Sequence, residues 1–534
     1  MTTLTDNETA VAISAETLTL DDIIAVARDG RKVELDPAPA FRQRIERGRE
    51  TLMRKLAAGE VIYGVNTGYG GNACYVIPGD ELTHHQKNLL EFMACGVGEP
   101  LSKEAVRAAI LLRANALARG LSGVRVVVIE RLVDLLNHGI TPIVPRFGSV
   151  GASGDLVPSA YIARALCGRG EVIYHGERVS ARDALWCEHL EPLVLEAKEG
   201  LALLNGTTVM TGIAALVVDE ADYLFRLAVG AVAMAAEALH SSPDYFHPVI
   251  HMAKHHPGQI GVAEMLNSLL YDSRLAVPLD EIRHRVETAE RWADATHGVV
   301  QADESIQSPY SLRCAPQGLG PMLETLRQVR EVIEREANSV NDNPLIDTAS
   351  DRVYHTGNFY GAHVARAMDG LKLDLANLSN WLHSIMALLM DSRFSNGLPN
   401  SLSPHPGLYQ GLKGLQITHS SLTMAIRHWA APSLIHTLPT EQFNQDVVSL
   451  GTLAAETAMD VTRLLRSVVA ITLLSTAQAV DLRQGGEQLG AGTRPIFRAL
   501  RSASPFVDED RALGGDIEAV ARLIERKEIP VLRN

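Results

Sequence analysis

Apolar positions recur at intervals of three and four along almost the whole chain, the spacing of one face of an α-helix. Thr19 and Asp22 form a capping-box pair ahead of DIIAVARDG. Ser102 caps a predicted helix whose apolar side includes Ala105, Ala109, Leu112 and Ala116, and Gly120 closes it. Ser122 is expected to open another, with Ile129, Leu132, Val133 and Leu136 on one stripe and Gly139 after its end. Longer segments follow near 208–240, 318–340 and 361–393. A further one, from Val447 to Leu482, sets Leu450, Leu453, Ala454, Val461, Leu464, Leu465 and Val468 on one face. These segments exceed the usual globular helix and carry small and apolar residues on more than one side, so they predict a bundle shared between subunits. With no strand–helix alternation and no internal repeat, the expected fold class is mainly α, built on a long central helix bundle.

Composition narrows this picture without changing it. The 534 residues exceed one simple core, and length alone suggests roughly three or four domains. Aromatic residues are only 5% while Ala and Leu abound, which favours helices because such side chains lose little rotamer freedom there. The net charge is −14 with no Lys or Arg block, so nucleic acid is not an expected partner. Cys74, Cys95, Cys167, Cys187 and Cys314 are odd in number and scattered, which argues against a disulfide framework or a zinc site. His251 and His255 are four apart, but Met252 stands where a metalloprotease needs Glu, so no metal is expected. His84-His85 reads as a surface pair. No nucleotide-binding glycine motif stands out. The stretch MTTLTDNETAVAISAET has no basic leader or apolar core, and Leu227–Ala236 and Val468–Leu474 are too short or interrupted to cross a bilayer. A cytoplasmic protein with no membrane partner is the expectation.

Four irregular segments stand out among the helices: 61–73 (VIYGVNTGYGGNA), 145–158 (PRFGSVGASGDLVP), a polar stretch around 296–311, and 432–445 (PSLIHTLPTEQFNQ). Function concentrates in loops that a rigid scaffold holds. In Gly151-Ala152-Ser153-Gly154-Asp155 the small residues let the backbone fold on itself. If the Gly154 nitrogen reaches the Ala152 carbonyl carbon, a five-membered ring closes. Loss of water, including the Ser153 hydroxyl, then leaves a methylidene-imidazolone (MIO) with an electrophilic methylene. A bare Ala-Ser-Gly tripeptide is more often a flexible turn.

Context decides otherwise. YGVNTGYGG, GSVGASGDLVP, LALLNGT, YSLRCAPQ, NDNP, GNF and NQDVVSLG occur in that order, and together they resemble the aromatic amino acid ammonia-lyase and aminomutase family, whose cofactor is MIO. The resemblance runs from about residue 19 into the C-terminal region. It implies an ammonia-lyase/fumarase-like helical architecture, with an MIO-bearing domain over 1–207 and a bundle with C-terminal helices over 208–534. It also implies a homotetramer whose sites are each built from three subunits.

Residue by residue, the resemblance makes Ala152, Ser153 and Gly154 the source of the MIO and Tyr63 the base that takes a β-hydrogen. A phenol needs a depressed pKa for that work, from positive charge or hydrogen-bond donors nearby. Gly64, Gly68, Gly70 and Gly71 would let the Tyr63 loop close as a lid. Arg313 matches the fork that holds the substrate carboxylate. Asn205 and Tyr310 match groups near the MIO, and Phe359 packs beside it. Gln307, Asn358, Asn444 and Gln445 are expected amide contacts, though each alone is equally an ordinary buried amide.

The pair facing the substrate ring is Phe92-Met93. Tyrosine-specific bacterial relatives carry His at the first position, and histidine-specific ones carry Ser-His. Two apolar side chains leave a buried hydroxyl or ring nitrogen unpaired at a cost of about 1–3 kcal/mol, so L-phenylalanine is the expected substrate and trans-cinnamate with ammonia the products. Lys413 and Glu441 stand where phenylalanine ammonia-lyases carry Lys and Glu, although Lys413 alone also reads as a solvated surface charge. Ala362, Ser308-Pro309 and Phe443 depart from the common pattern and bear on positioning and rate. Three other readings share these features: a phenylalanine β-aminomutase, a lyase that accepts tyrosine, and a helical scaffold that has lost catalysis.

Overall fold

A computed structural model describes residues 10–288, 297–299 and 305–532. The first nine positions and most of the polar stretch before 305 therefore lie outside the described residues. The chain is mainly helical, as its periodicity implies. It forms two compact units: Met1–Asp219 with Val329–Gly370 and Pro432–Met459, and Glu220–Gln328 with Leu371–Ala431 and Asp460–Asn534.

In the first unit the helix Lys103–Ala118 is buried from Ala105 to Ala118, and it packs against Leu20–Ala27 and Val126–Asn137. Two of the three expected caps form: Thr19 and Asp22 make the reciprocal capping box, and the Ser102 hydroxyl accepts from the Ala105 N–H. Ser122 does not cap its helix. That helix begins at Val126 with Arg125 as cap, and the Ser122 hydroxyl donates instead to Asp342 Oδ1 at 3.1 Å. A long-range carboxylate has taken the hydroxyl that local spacing assigned to a helix end. Buried Arg107 donates to the carbonyls of Val26 and Leu136, near the C-terminal ends of both neighbouring helices. Cations there complement unsatisfied carbonyls and the helix dipole. Short strands make four small sheets, among them the antiparallel pair Leu345–Asp347 and Arg352–Tyr354, which leads directly into His355.

Among the described residues four helices are long: Thr208–Ala238, Ala315–Ala337, Ala362–Met390 and Gly451–Leu482. The last starts four residues later than its apolar pattern. Ser449 and Leu450 spend their amides on the carbonyls of Gly151 and Val150, so the chain before Gly451 serves the Ala-Ser-Gly loop and not the helix. The same helix corrects the reading of the apolar stretches as too short to span a bilayer. By length and composition it is sufficient, but 78% of its apolar window is buried within the chain.

In the second unit, Trp381 Nε1 donates to Ser311 O at 2.9 Å. A buried polar chain joins His383, His419 and Thr472, with ring nitrogens 3.2 Å apart and His419 Nε2 3.1 Å from the Thr472 hydroxyl.

Candidate active site

The first unit holds a partly open cavity of about 990 Å³. Tyr63, Phe92, Met93, Ala152, Ser153, Asn205, Phe359, Glu441, Asn444 and Gln445 all line it, brought together from stretches far apart in sequence. Gly154 lies behind this wall.

The Ala-Ser-Gly loop is gripped from both sides. Asn205 Nδ2 donates to Ser153 O at 2.9 Å and the Gly206 N–H donates to the same oxygen at 3.3 Å, while the Asp155 N–H donates to Gly206 O at 2.7 Å. Gln445 Nε2 donates to Ser153 Oγ at 2.9 Å. Gly154 has φ +72°, and a Cβ there would fall 2.0 Å from Gly206 O, so only glycine fits. Below the loop, the fully buried Asp155 carboxylate accepts from the amides of Val209 and Met210 at 3.0 and 2.9 Å and from the Thr452 hydroxyl. Burial raises its pKa, against the pull of those donors and of Arg113. Arg113, also buried, donates to the carbonyls of Ala202 and Asn205 and to the Thr208 hydroxyl, and burial lowers its pKa to about 10. The corner at 205–208 is thus fixed by a charged strut.

Tyr63 sits on a loop that bonds to itself: the Gly68 N–H donates to Tyr75 O, and Ile77 N–H to Asn66 O. Its hydroxyl accepts from the Gly70 N–H at 3.0 Å. Gly70 lies so near Glu441 that a Cβ would be 2.5 Å from Oε2. The expectation of a depressed phenol pKa is not met within the chain. Burial raises it, the single amide donor only partly opposes this, and the Glu441 charge adds to the rise. Among the described residues, no Lys or Arg lines the cavity.

Gln307, Tyr310, Arg313, Asn358 and Lys413 do not line this cavity. Asn358, exposed, donates from Nδ2 to Val340 O at 3.1 Å. Gln307, Tyr310, Arg313 and Lys413 belong to the second unit. Arg313 stacks over the Tyr310 ring at 4.5 Å and donates from Nε to Ser308 O, Tyr310 is 70% exposed, and Lys413 bonds to Gln410. Gln307 is exposed, its backbone paired with Ser305.

Two lining histidines have no place among the residues expected at the site. His85 is not a surface residue of the His84-His85 pair but a wall of the cavity. It stacks on Tyr69 at 4.3 Å and bonds through Nε2 to Thr67 O at 2.9 Å, so that nitrogen carries the proton. Its place at four and seven residues before Leu89 and Phe92 was the available signal, because all three share one face of Leu82–Phe92. His355 accepts the Tyr63 backbone N–H and had no signal in spacing.

Comparison with known proteins fits this geometry. The model of the aromatic amino acid lyase family matches residues 18–502. A hal-like protein of Dictyostelium discoideum is 42% identical over 95% of this chain and 94% of its own. A histidine ammonia-lyase of a Geobacillus species is 38% identical over 97% of both. The solved phenylalanine aminomutase of Pantoea agglomerans superposes with a TM-score of 0.92 at 35% identity, over 97% of this chain and 99% of that one. The chain belongs to the aromatic amino acid lyase family. It is an enzyme of the carbon–nitrogen lyase class, acting on an amino acid.

Proposed function

We propose that the enzyme is a phenylalanine ammonia-lyase, converting L-phenylalanine to trans-cinnamate and ammonia. The observation that carries this is the apolar wall formed by Leu89, Phe92, Met93, Leu156 and Leu201, against which an unsubstituted ring loses no hydrogen bond.

Ala152, Ser153 and Gly154 suit MIO formation. Gly154 is the one residue that can fit beside Gly206, Gln445 holds the hydroxyl to be lost, and Asn205 Oδ1 is a buried acceptor without a partner. Once formed from these residues, the group would supply an electrophilic methylene, the chemistry that an otherwise poor amine leaving group requires. Asn205 Nδ2 and the Gly206 amide hold Ser153 O, and Phe359 closes the cavity beside it. Tyr63 takes the β-hydrogen from its loop, and as ammonia departs the double bond forms. The described residues lining the cavity include no cation for the substrate carboxylate, so Arg313, with Tyr310, Gln307 and Lys413, is assigned to it from another copy in a homotetramer with shared sites. In that assignment the guanidinium is the positive charge whose nearness favours a phenolate. Glu441, Asn444 and Gln445 border the substrate, and Asn358 supports Phe359 through the loop it shares.

A second reading has a specific basis: His85 and Glu441 are polar groups in the same cavity, and several relatives are histidine ammonia-lyases. The deciding experiment offers phenylalanine, tyrosine and histidine to the wild type and to Ser153→Ala, following cinnamate, coumarate, urocanate and β-phenylalanine. The expected result is cinnamate as the fastest product and none from Ser153→Ala. Faster urocanate overturns the substrate assignment, β-phenylalanine as main product makes the enzyme an aminomutase, and no turnover of phenylalanine rejects the substrate claim.

A further inference from the structure

Tyr63 is held at both ends. Its hydroxyl accepts from Gly70, while its backbone N–H donates to His355 Nε2 at 3.2 Å, with the two rings edge to face at a centroid distance of 6.5 Å. His355 follows the hairpin strand Arg352–Tyr354, which pairs with Leu345–Asp347, so the imidazole stands on a hydrogen-bonded sheet. The Tyr63 loop otherwise bonds mainly to itself and to the helix Leu82–Phe92, through Gln86 Nε2 to Gly64 O and His85 to Thr67 O. An amide N–H can only donate, so His355 Nε2 must carry a lone pair. If that nitrogen is protonated, two N–H groups face each other and the bond is lost.

We propose that His355 is a positioning residue that latches the Tyr63 loop in its working place, and that protonation of the imidazole releases the latch. The inference rests on the reading of Tyr63 as the base. The other titratable groups lining the cavity are Tyr63, Tyr69, Tyr75, Tyr360, His85, Glu441 and Asp446. Of these only His85 is a second imidazole, and its proton already sits on the nitrogen that donates to Thr67 O. Imidazole is the side chain whose charge ordinarily changes between about pH 5 and 8, so the test is read across that range.

The test uses the full-length enzyme and His355→Gln, which can accept but not titrate, His355→Leu, His85→Leu and Tyr63→Phe. Two readouts are taken across pH: kcat and KM, and hydrogen–deuterium exchange of a peptide containing the Tyr63 amide, corrected for intrinsic rate. His355→Leu is expected to lower kcat about 10- to 100-fold and to expose the Tyr63 amide at every pH. His355→Gln restores both at neutral pH and lacks the acid-side loss that the wild type and His85→Leu show. Wild-type amide protection in His355→Leu, or an acid limb unchanged in His355→Gln, overturns the latch. Activity retained in Tyr63→Phe overturns the base reading instead, and the exchange data then still decide whether the latch exists. Should His355→Leu not fold, the pH-dependent exchange of the wild type and His355→Gln is sufficient: equal acid-side deprotection in the two overturns the latch, and its loss in His355→Gln upholds it.

Discussion

Asn205 and Ser153 meet across a carbonyl: the Asn205 amide donates to Ser153 O at 2.9 Å, while its own Oδ1 is buried with no hydrogen-bond partner. An unmatched buried acceptor costs about 1–3 kcal/mol, so the residue is oriented for the donor's task at the expense of its other half. Asn205→Ala removes that donor from the cavity wall. Its kcat is expected to fall about 100- to 1,000-fold, in the range for losing one preorganised donor to a developing oxyanion. Asn205→Asp, which keeps an oxygen but no N–H, should not recover it. Steady-state kinetics check the loss, and the mass of the peptide containing 152–154 shows whether its two waters have departed.

Gly206 governs the other flank. Its φ is +137°, and a Cβ would fall 2.2 Å from Asn341 Oδ1 and 2.7 Å from Arg113 Nη2. Gly206→Ala must therefore displace the Asn341 side chain and the Arg113 strut, or shift its own backbone, whose carbonyl receives the Asp155 amide. A strained backbone of this kind costs on the order of 1–3 kcal/mol before any clash is counted. The variant is expected to melt several degrees below wild type and to retain Ser153 as an uncondensed residue. Calorimetry and intact-protein mass measure the two effects separately.

Phe92 is 53% exposed within the chain and borders the cavity beside Tyr69, 6.2 Å between ring centroids. Phe92→His places a hydrogen-bonding group at the ring end. Relative kcat/KM for tyrosine over phenylalanine should rise roughly 5- to 100-fold, the equivalent of pairing a hydroxyl that is otherwise buried unmatched. An unchanged ratio would mean that the ring binds elsewhere in the cavity.

How much of this was legible follows from how locally each feature is encoded. Helices and their two hydroxyl caps came through because periodicity and capping depend on residues within one turn. Tyr63, Ser153, Asn205 and Gln445 were reached through the ordered motifs that carry the family resemblance, and the fold sets all four on one cavity. Ser122 and the start of the helix at Gly451 were misplaced because Asp342, Val150 and Gly151 claim their groups from far away in sequence. His355 was invisible for the same reason, since it matters only because the Tyr63 amide arrives beside it, whereas His85 had a helical spacing to Leu89 and Phe92 that went unused. The phenol's pKa was the hardest property to read. It depends on the balance of burial, one amide and a carboxylate, none of which has a sequence signature.

His419 gives a stability prediction whose sign can be worked out. It is fully buried, bonded to His383, Thr472 and Thr423, and burial followed by the His383 charge lowers its pKa from 6.5 to about 4. The unfolded chain binds a proton at this site below about pH 6.5, whereas the folded chain does so only near pH 4. Between those values the unfolded state holds more protons, so stability rises with pH. The contribution is complete above about pH 6.5, declines as the solution is acidified, and is gone by about pH 4, where the curve levels off for this group. A shift of this size corresponds to about 3 kcal/mol. His419→Gln, which fills similar space without titrating, should start less stable at about pH 7.5 but lose distinctly less on transfer to about pH 4.5. Denaturant melts of both proteins at the two pH values measure the difference. Equal acid losses in wild type and variant would show that the imidazole is not the group being protonated.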